Sequence, residues 1–402
     1  MSEKKVIPYG RQNITEQDIQ SVVETLKSDY LTQGPKVKEF EDAFASYIGS
    51  RFAVAVANGT AALHLCALAL GVSKGQKVIT TPITFAASAN CVRYCDGEVV
   101  FSDIDPETYL LDIEKVRKLL EASPRGTYVG IIPVDFAGYP VDLEKFRELA
   151  DQYGLWIIED ACHAPGGYRI DSEKKSQNCG NGAFAELAIF SFHPVKHIAA
   201  GEGGMITTND KSLYMKLQTL RTHGIVKNDR LYTSSKEFAA GGCETETYPG
   251  WYMEMQELGY NYRLTDIQAS LGLSQLHRAD EGLLRRRAIA KKYDQSFKNH
   301  PGITTQSNEL KEKDFGHAYH LYVIQVKDRL GLYNHLKTKN IFAQIHYIPT
   351  HLMPYYRSIG WKAGDFPVAE EYYRRCISLP MYPTLTDSEQ QYVIDTILRF
   401  IN

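Results

Sequence analysis

Lys196 is the residue whose setting most invites chemistry. It lies in the segment 186–204, ELAIFSFHPVKHIAAGEGG, and no other lysine occurs between Lys175 and Lys211, although lysine and arginine total 45. An amine set among Phe, Pro, Ile and Ala loses hydration, which disfavours the ammonium and frees the nucleophilic form. That is the requirement for Schiff-base chemistry. The same residue types also suit a buried lysine paired with a carboxylate, and the segment alone does not choose between them.

Other candidates follow apolar runs in the same way. LWIIED ends in Glu159 and Asp160, with Cys162 and His163 just beyond. A carboxylate at the tip of a buried strand needs a partner. The partner is either an arginine or a ligand ring nitrogen that the carboxylate keeps protonated. Asn58 to Ala62, NGTAA, opens a helix that the pattern carries to Gly71. Its small residues leave backbone N–H groups free for a phosphate, with the Thr60 hydroxyl as a further donor, and the same residues make an ordinary structural cap. Phe85, in TTPITFAASAN, suits either a ring-stacking face or a core position. Neither GxGxxG nor GxxxxGK occurs, which takes most of the support from the dinucleotide and P-loop readings. Cys162 beside His163 lacks a second ligand cluster, so no metal is expected.

The elements that must position these residues are legible as periodicity. Short apolar runs at 52–57, 77–80, 99–102, 128–134, 155–160, 187–192 and 204–207 alternate with helical patterns. Runs apolar on both faces and separated by helices predict an α/β fold with a mostly parallel, seven-stranded sheet between helical layers. Ligands bind such sheets beyond the carboxyl ends of the strands. Upstream, residues 14–27 read as a helix capped by Thr15 with Asp18 three residues on, and Gly34-Pro35 break the chain before a second helix. Residues 166–184 read as a polar loop or hairpin and 225–257 as a long irregular stretch. GYNYRLTDIQASLGLSQL then enters one long helix. The boundary is placed there: a large domain, 1–265, and a small α+β domain, 266–402, containing HLYVIQV, AQIHYIP, SLPMYP and a last helix capped by Thr386 with Glu389.

Composition narrows the partners. A chain of 402 residues with 44% hydrophobic residues and a net charge of −3 is an ordinary globular composition, with no electrostatic case for nucleic acid or an anionic membrane. The opening MSEKKVIPYG has no apolar stretch of signal-peptide type, and no later run approaches the roughly 18 apolar residues of a membrane span. Seven scattered cysteines suggest a reducing, cytoplasmic setting rather than a disulfide framework.

Taken in order, NGTAAL, TTPITFAASAN, EDACHA, SFHPVKHIAAGEGG, RTHG and GYNYRLTDIQAS make the chain resemble the DegT-type sugar-nucleotide aminotransferases, which carry pyridoxal 5′-phosphate (PLP) on the fold-type I scaffold. SDYLTQG and AQIHYIP resemble the members of that family that act in pseudaminic acid biosynthesis. The resemblance implies L-glutamate as amino donor and a UDP-linked 4-keto-6-deoxy-N-acetylhexosamine as acceptor. It implies that Lys196 holds the cofactor covalently, that Asp160 pairs with the pyridine nitrogen, and that His163 lies near the ring while Phe85 stacks on it. Gly59, Thr60, Ala61 and Ser191 would bind the phosphate, with Asn261 contributed from the other subunit of a homodimer. Tyr9, Tyr30, Leu31, Thr32, His346 and Tyr347 would meet the sugar nucleotide, and Arg221 and Arg263 are candidates for the glutamate carboxylates. The polar insert at 172–181 and the pair Gly166-Gly167 depart from the family pattern. Other keto-sugar acceptors, and a PLP-binding regulatory protein without turnover, are the alternatives. A deoxygenase of the same scaffold would carry histidine where this chain has Lys196.

Overall fold

The structure, a computed structural model, describes residues 6–306 and 314–401. The basic start of the chain, residues 1–5, lies outside them. The seven apolar runs form β1 (Phe52–Val56), β2 (Lys77–Thr80), β3 (Glu98–Phe101), β4 (Tyr128–Ile132), β5 (Trp156–Asp160), β6 (Leu187–Ser191) and β7 (Gly204–Thr208) of a single sheet. Its order is β1-β7-β6-β5-β4-β2-β3. β7 runs antiparallel to both its neighbours, and the remaining pairs are parallel. The chain therefore leaves β1, β2, β5 and β6 at one edge of the sheet, where the candidate residues stand.

Helices cover both faces. On one side α3 (Gly59–Ala69) and α4 (Ala87–Tyr94) pack through Leu63, Cys66 and Val92. On the other, Phe40 and Phe44 of α2 (Pro35–Ile48) meet Phe190 and Phe192, with ring centroids 4.9 Å apart for Phe44 and Phe190. α1 (Glu16–Leu26) begins with the expected Thr15–Asp18 capping box.

The expected long helix is two helices, α5 (Asp266–Leu276) and α6 (Ala279–Phe297). The break falls at Arg278, whose backbone leaves the helical region at φ −120° and ψ 18° while its guanidinium reaches the buried Asp18 carboxylate. Beyond it, β8 (Thr304–Thr305), β9 (Tyr322–Gln325) and β10 (Cys376–Leu379) form a small antiparallel sheet. The last helix, Asp387–Ile401, packs Val393, Ile394 and Ile397 into that core. AQIHYIP is not a strand. Within it a single residue, Gln344, bridges antiparallel to Ser378, while just before it Ile341–Phe342 pairs with Ile7–Pro8 in parallel register and ties the N-terminal segment to the C-terminal region. Residues 166–184 contain a hairpin, Tyr168–Ile170 against Ser176–Asn178, extended by Phe315–Gly316. Among the described residues no helix is long and apolar enough to cross a membrane.

Candidate active site

The carboxyl edge of the sheet borders a cavity of about 540 Å³, a volume typical of small-molecule sites. Tyr9, Gly59, Thr60, Phe85, Asp160, His163, Ser191, Lys196, His346 and Tyr347 all line it.

Lys196 sits five residues past β6 in a loop fixed at both ends. The Phe192 N–H donates to the Gly203 carbonyl at 2.8 Å, the Ala200 N–H to the Phe192 carbonyl at 2.9 Å, and the Lys196 N–H to the His193 carbonyl at 2.8 Å. Burial lowers the Lys196 pKa from the ordinary lysine value, against the opposing influence of Cys162 and Asp160. The amine is thus moved towards the free base that imine chemistry needs.

Glu159 and Asp160 are consecutive in a strand and so face opposite sides. The Asp160 carboxylate accepts the Ser88 hydroxyl at 2.7 Å and the Cys162 N–H at 3.2 Å. Ser88 is itself linked to Thr84 at 2.7 Å. No arginine pairs with Asp160 among the described residues, so the charge faces the cavity. Glu159 accepts the Gly180 N–H at 2.9 Å and lies beside Asp135. Burial raises both carboxyls, Asp135 to about 7 and Glu159 well above its usual range. The two carboxyls also act on each other, Asp135 raising Glu159 further while the hydrogen bond with Glu159 lowers Asp135, which favours a proton on Glu159 between the two oxygens that lack another partner.

His163 accepts the Ala137 N–H on Nδ1 at 3.2 Å. Burial holds the ring neutral, with Lys196 acting in the same direction. Its proton therefore sits on Nε2, 3.2 Å from the Tyr347 hydroxyl. The His320 ring packs against it at 4.3 Å between centroids. Tyr9 approaches His346 at 5.3 Å, held there by the pairing of Ile7–Pro8 with Ile341–Phe342. Phe85 is 62% exposed and its ring borders the cavity, which discards the core reading.

The third corner is the N-terminus of α3. Asn58 is the N-cap, and its side-chain oxygen accepts the Ala61 N–H at 2.8 Å. Of the expected phosphate set, Ala61 is buried, does not line the cavity and has its amide hydrogen-bonded to Asn58. The amides of Gly59 and Thr60 remain for an anion. A Cβ on Gly59 would fall 3.1 Å from the Ser191 Cβ, and one on Gly204 would fall 2.5 Å from the Asn58 carbonyl oxygen. Both glycines let the helix start approach the ends of β6 and β7.

Other expected residues stand elsewhere. Tyr30, Leu31 and Thr32 are exposed and do not line the cavity, Thr32 bridging to Thr265. Asn261 is exposed and bridges to Thr222. Arg221 is a correction. Its guanidinium is bound to Glu41 at 2.6 Å and to the Ala55 carbonyl at 2.6 Å, in a second hollow that Arg263 also lines, so neither meets a ligand beside Lys196 in this chain. Sequence reasoning did not single out Asn58, Ser88, Glu202 or His320, all of which line the cavity. Asn58 and Ser88 lay inside quoted motifs, and hydrogen-bonding residue types beside Gly59 and Phe85 were the available signal.

A free-base-leaning amine, a carboxylate without a cationic partner, and a helix N-terminus between them complement a flat ring that bears an aldehyde, a basic ring nitrogen and a phosphate. Pyridoxal 5′-phosphate carries those three groups, and the fold and site together define a fold-type I PLP-dependent transferase. More narrowly, the chain belongs to the DegT/DnrJ/EryC1/StrS aminotransferase family, which it matches over residues 12–398. It is 37% identical to the spore coat polysaccharide biosynthesis protein SpsC of Bacillus subtilis, over 97% of this chain and 96% of that one. It is 35% identical to a UDP-4-amino-4,6-dideoxy-N-acetyl-beta-L-altrosamine transaminase of Campylobacter jejuni, over 98% of each. Among solved structures, Helicobacter pylori PseC, an aminotransferase involved in the biosynthesis of pseudoaminic acid, superposes with a TM-score of 0.85 at 29% identity and 99% coverage of both chains.

Proposed function

We propose that this chain transfers the amino group of L-glutamate to C4 of a UDP-linked 4-keto-6-deoxy-N-acetylhexosamine, as a cytoplasmic step in nucleotide-sugar biosynthesis of the pseudaminic acid type. What carries the reading is Lys196 and Asp160 lining one cavity whose further lining, Tyr9, His346 and Tyr347, matches positions implied by the family resemblance. The near full-length likeness to the Campylobacter transaminase supports the acceptor.

Bound PLP supplies an electron sink for the carbanion formed when the amino-acid α carbon loses its proton. Each residue then has a task. Lys196 Nζ would hold the cofactor and, as the free amine, would take the proton from the amino-acid α carbon and return it to the cofactor side of the bound donor; a base so placed contributes about 10²- to 10⁴-fold. The Asp160 carboxylate, oriented by Ser88 and the Cys162 N–H, keeps the ring nitrogen protonated. The amides of Gly59 and Thr60, with the Ser191 hydroxyl, hold the phosphate. Phe85 covers the ring face, and His163, anchored through Ala137 and Tyr347, borders the ring. Tyr9, His346 and Tyr347 meet the sugar nucleotide. The reading includes a homodimer in which the exposed Asn261, and the exposed stretch from Tyr30 to Thr32, serve the site of the other copy.

Likeness to SpsC at 37% identity favours a second reading, a different keto-sugar acceptor. A panel of UDP-, dTDP- and GDP-linked 4-keto sugars with glutamate separates the two. Turnover of the UDP substrate is expected, and turnover confined to a dTDP or GDP sugar overturns the acceptor. If glutamate leaves the absorbance of the bound cofactor unchanged, glutamate is excluded as donor and the reading as a binding protein is favoured.

A further inference from the structure

Lys196 also borders a second cavity, of about 310 Å³, that Tyr9, Asp160 and Tyr347 do not share. Its wall is rich in arginine. Arg278 is paired with Asp18, and Arg285 with Asp387 at 2.8 Å. Arg286 differs from both. It is 1% exposed, and its Nη1 donates to the carbonyls of Tyr319 at 3.2 Å, His320 at 3.3 Å and Met381 at 3.0 Å. Among the described residues no carboxylate forms an ion pair with it, its buried Nε has no hydrogen-bond partner, and all its hydrogen bonds are made by Nη1, none by Nη2.

A buried cation without an anion is strongly disfavoured. Burial alone brings the Arg286 pKa down to about 10, with no nearby acid opposing the shift. The two idle nitrogens are the side-on edge of the guanidinium, the edge whose paired N–H groups match two oxygens of a carboxylate or phosphate. The cavity also opens on the first turn of α6, whose cap residue Arg278 offers no side-chain acceptor and whose positive end is offset in part by Asp280 and Glu281 in that turn. Arg11 is exposed and borders the same cavity, and among the described residues it has no acidic partner and Glu281 is the one acidic residue of the lining.

From this juxtaposition we infer that the second cavity binds a small oxyanion, gripped by the Nε–Nη2 edge of Arg286 and attracted by Arg11. The anion comes either from free phosphate or from a dicarboxylate of the amino-donor type. Bound there, it supplies the missing counter-charge beside Lys196, whose amine Arg286 otherwise pushes towards the free base. This does not depend on which keto sugar is the acceptor.

The test is calorimetric titration of the PLP-loaded enzyme, in a buffer without oxyanions, with inorganic phosphate in one arm and glutarate in the other. Saturable binding of one is expected, and the arm that binds tighter identifies the source. Binding should weaken roughly 10-fold or more in Arg11→Gln, the loss of one charged contact. It should disappear in Arg286→Lys, which keeps the charge and removes the fork. Tyr9→Phe, in the first cavity, should leave it unchanged. If neither anion binds saturably, or if Arg11→Gln binds like the wild type, Arg286 serves only to tie three carbonyls together and the inference is overturned. Arg11→Gln decides the matter even if Arg286→Lys does not fold.

Discussion

At the scale of single residues, charge and orientation separate at Asp160. Asp160→Asn removes the charge, whereas Ser88→Ala removes one of the two donors that aim it. A hydrogen bond to a charged group is worth about 1.5–3 kcal/mol, so Ser88→Ala should lower kcat roughly 10-fold with KM for glutamate little changed, and Asp160→Asn should cost more. Steady-state kinetics on both variants checks this, and an undiminished kcat in Ser88→Ala would show that the strand alone orients the carboxylate. Lys196→Ala should abolish turnover and the visible absorbance of bound cofactor while circular dichroism stays native; retained activity would remove Lys196 from the reaction. Lys196 was readable because a lysine isolated in an apolar stretch departs from the surface pattern. Ser88 was not, because it lies on α4, far from Asp160 in sequence, and no periodicity links two residues that meet only in space. Arg221 misled for the complementary reason: an arginine near a loop carries no mark that Glu41 already holds it.

At the scale of elements, the phosphate corner depends on how closely α3 approaches β6 and β7. Gly204→Ala places a methyl 2.5 Å from the Asn58 carbonyl, which is backbone and cannot swing aside. Overpacking of this kind costs about 1–3 kcal/mol, and here it displaces the helix start. The expected result is a lower unfolding midpoint together with faster loss of PLP on dialysis. Asn58→Ala removes only the cap, at about 0.5–2 kcal/mol, and should show the same pair of effects more weakly. Cofactor retention equal to the wild type in Gly204→Ala would mean that the helix N-terminus does not hold the phosphate. The strands of the large sheet were legible almost to the residue, because burial on both faces leaves continuous apolar runs; 52–57 became Phe52–Val56. The two-residue pairing of Ile7–Pro8 with Ile341–Phe342 was not, since so short a strand has no period. That pairing is nevertheless what brings Tyr9 to His346.

At the scale of the whole molecule, two sets of buried groups pull stability in opposite directions with pH. His163, His197, His317, His320 and His346 are held neutral by burial, with His317 and His346 brought down to about 3 and the others well below the usual value. Each binds a proton on unfolding once the pH falls below about 6.5, so its contribution is present above that value and lost as the pH drops towards the folded pKa. Asp135 and Glu159 are shifted the other way, so their contribution is full below about 4 and is lost as the pH rises through the folded values, about 7 for Asp135. Near pH 5 the histidines, which include the buried His64 and His351 with pKa values also lowered, outnumber the two acids, so stability should fall as the pH drops. Near pH 7 the two sets nearly cancel and the curve should be flat. Urea unfolding midpoints at pH 5, 6 and 7 measure this directly. Glu159→Gln should steepen the fall between pH 7 and 5, because it deletes an opposing proton, and a wild-type midpoint that rises on acidification would show that the carboxyl pair dominates.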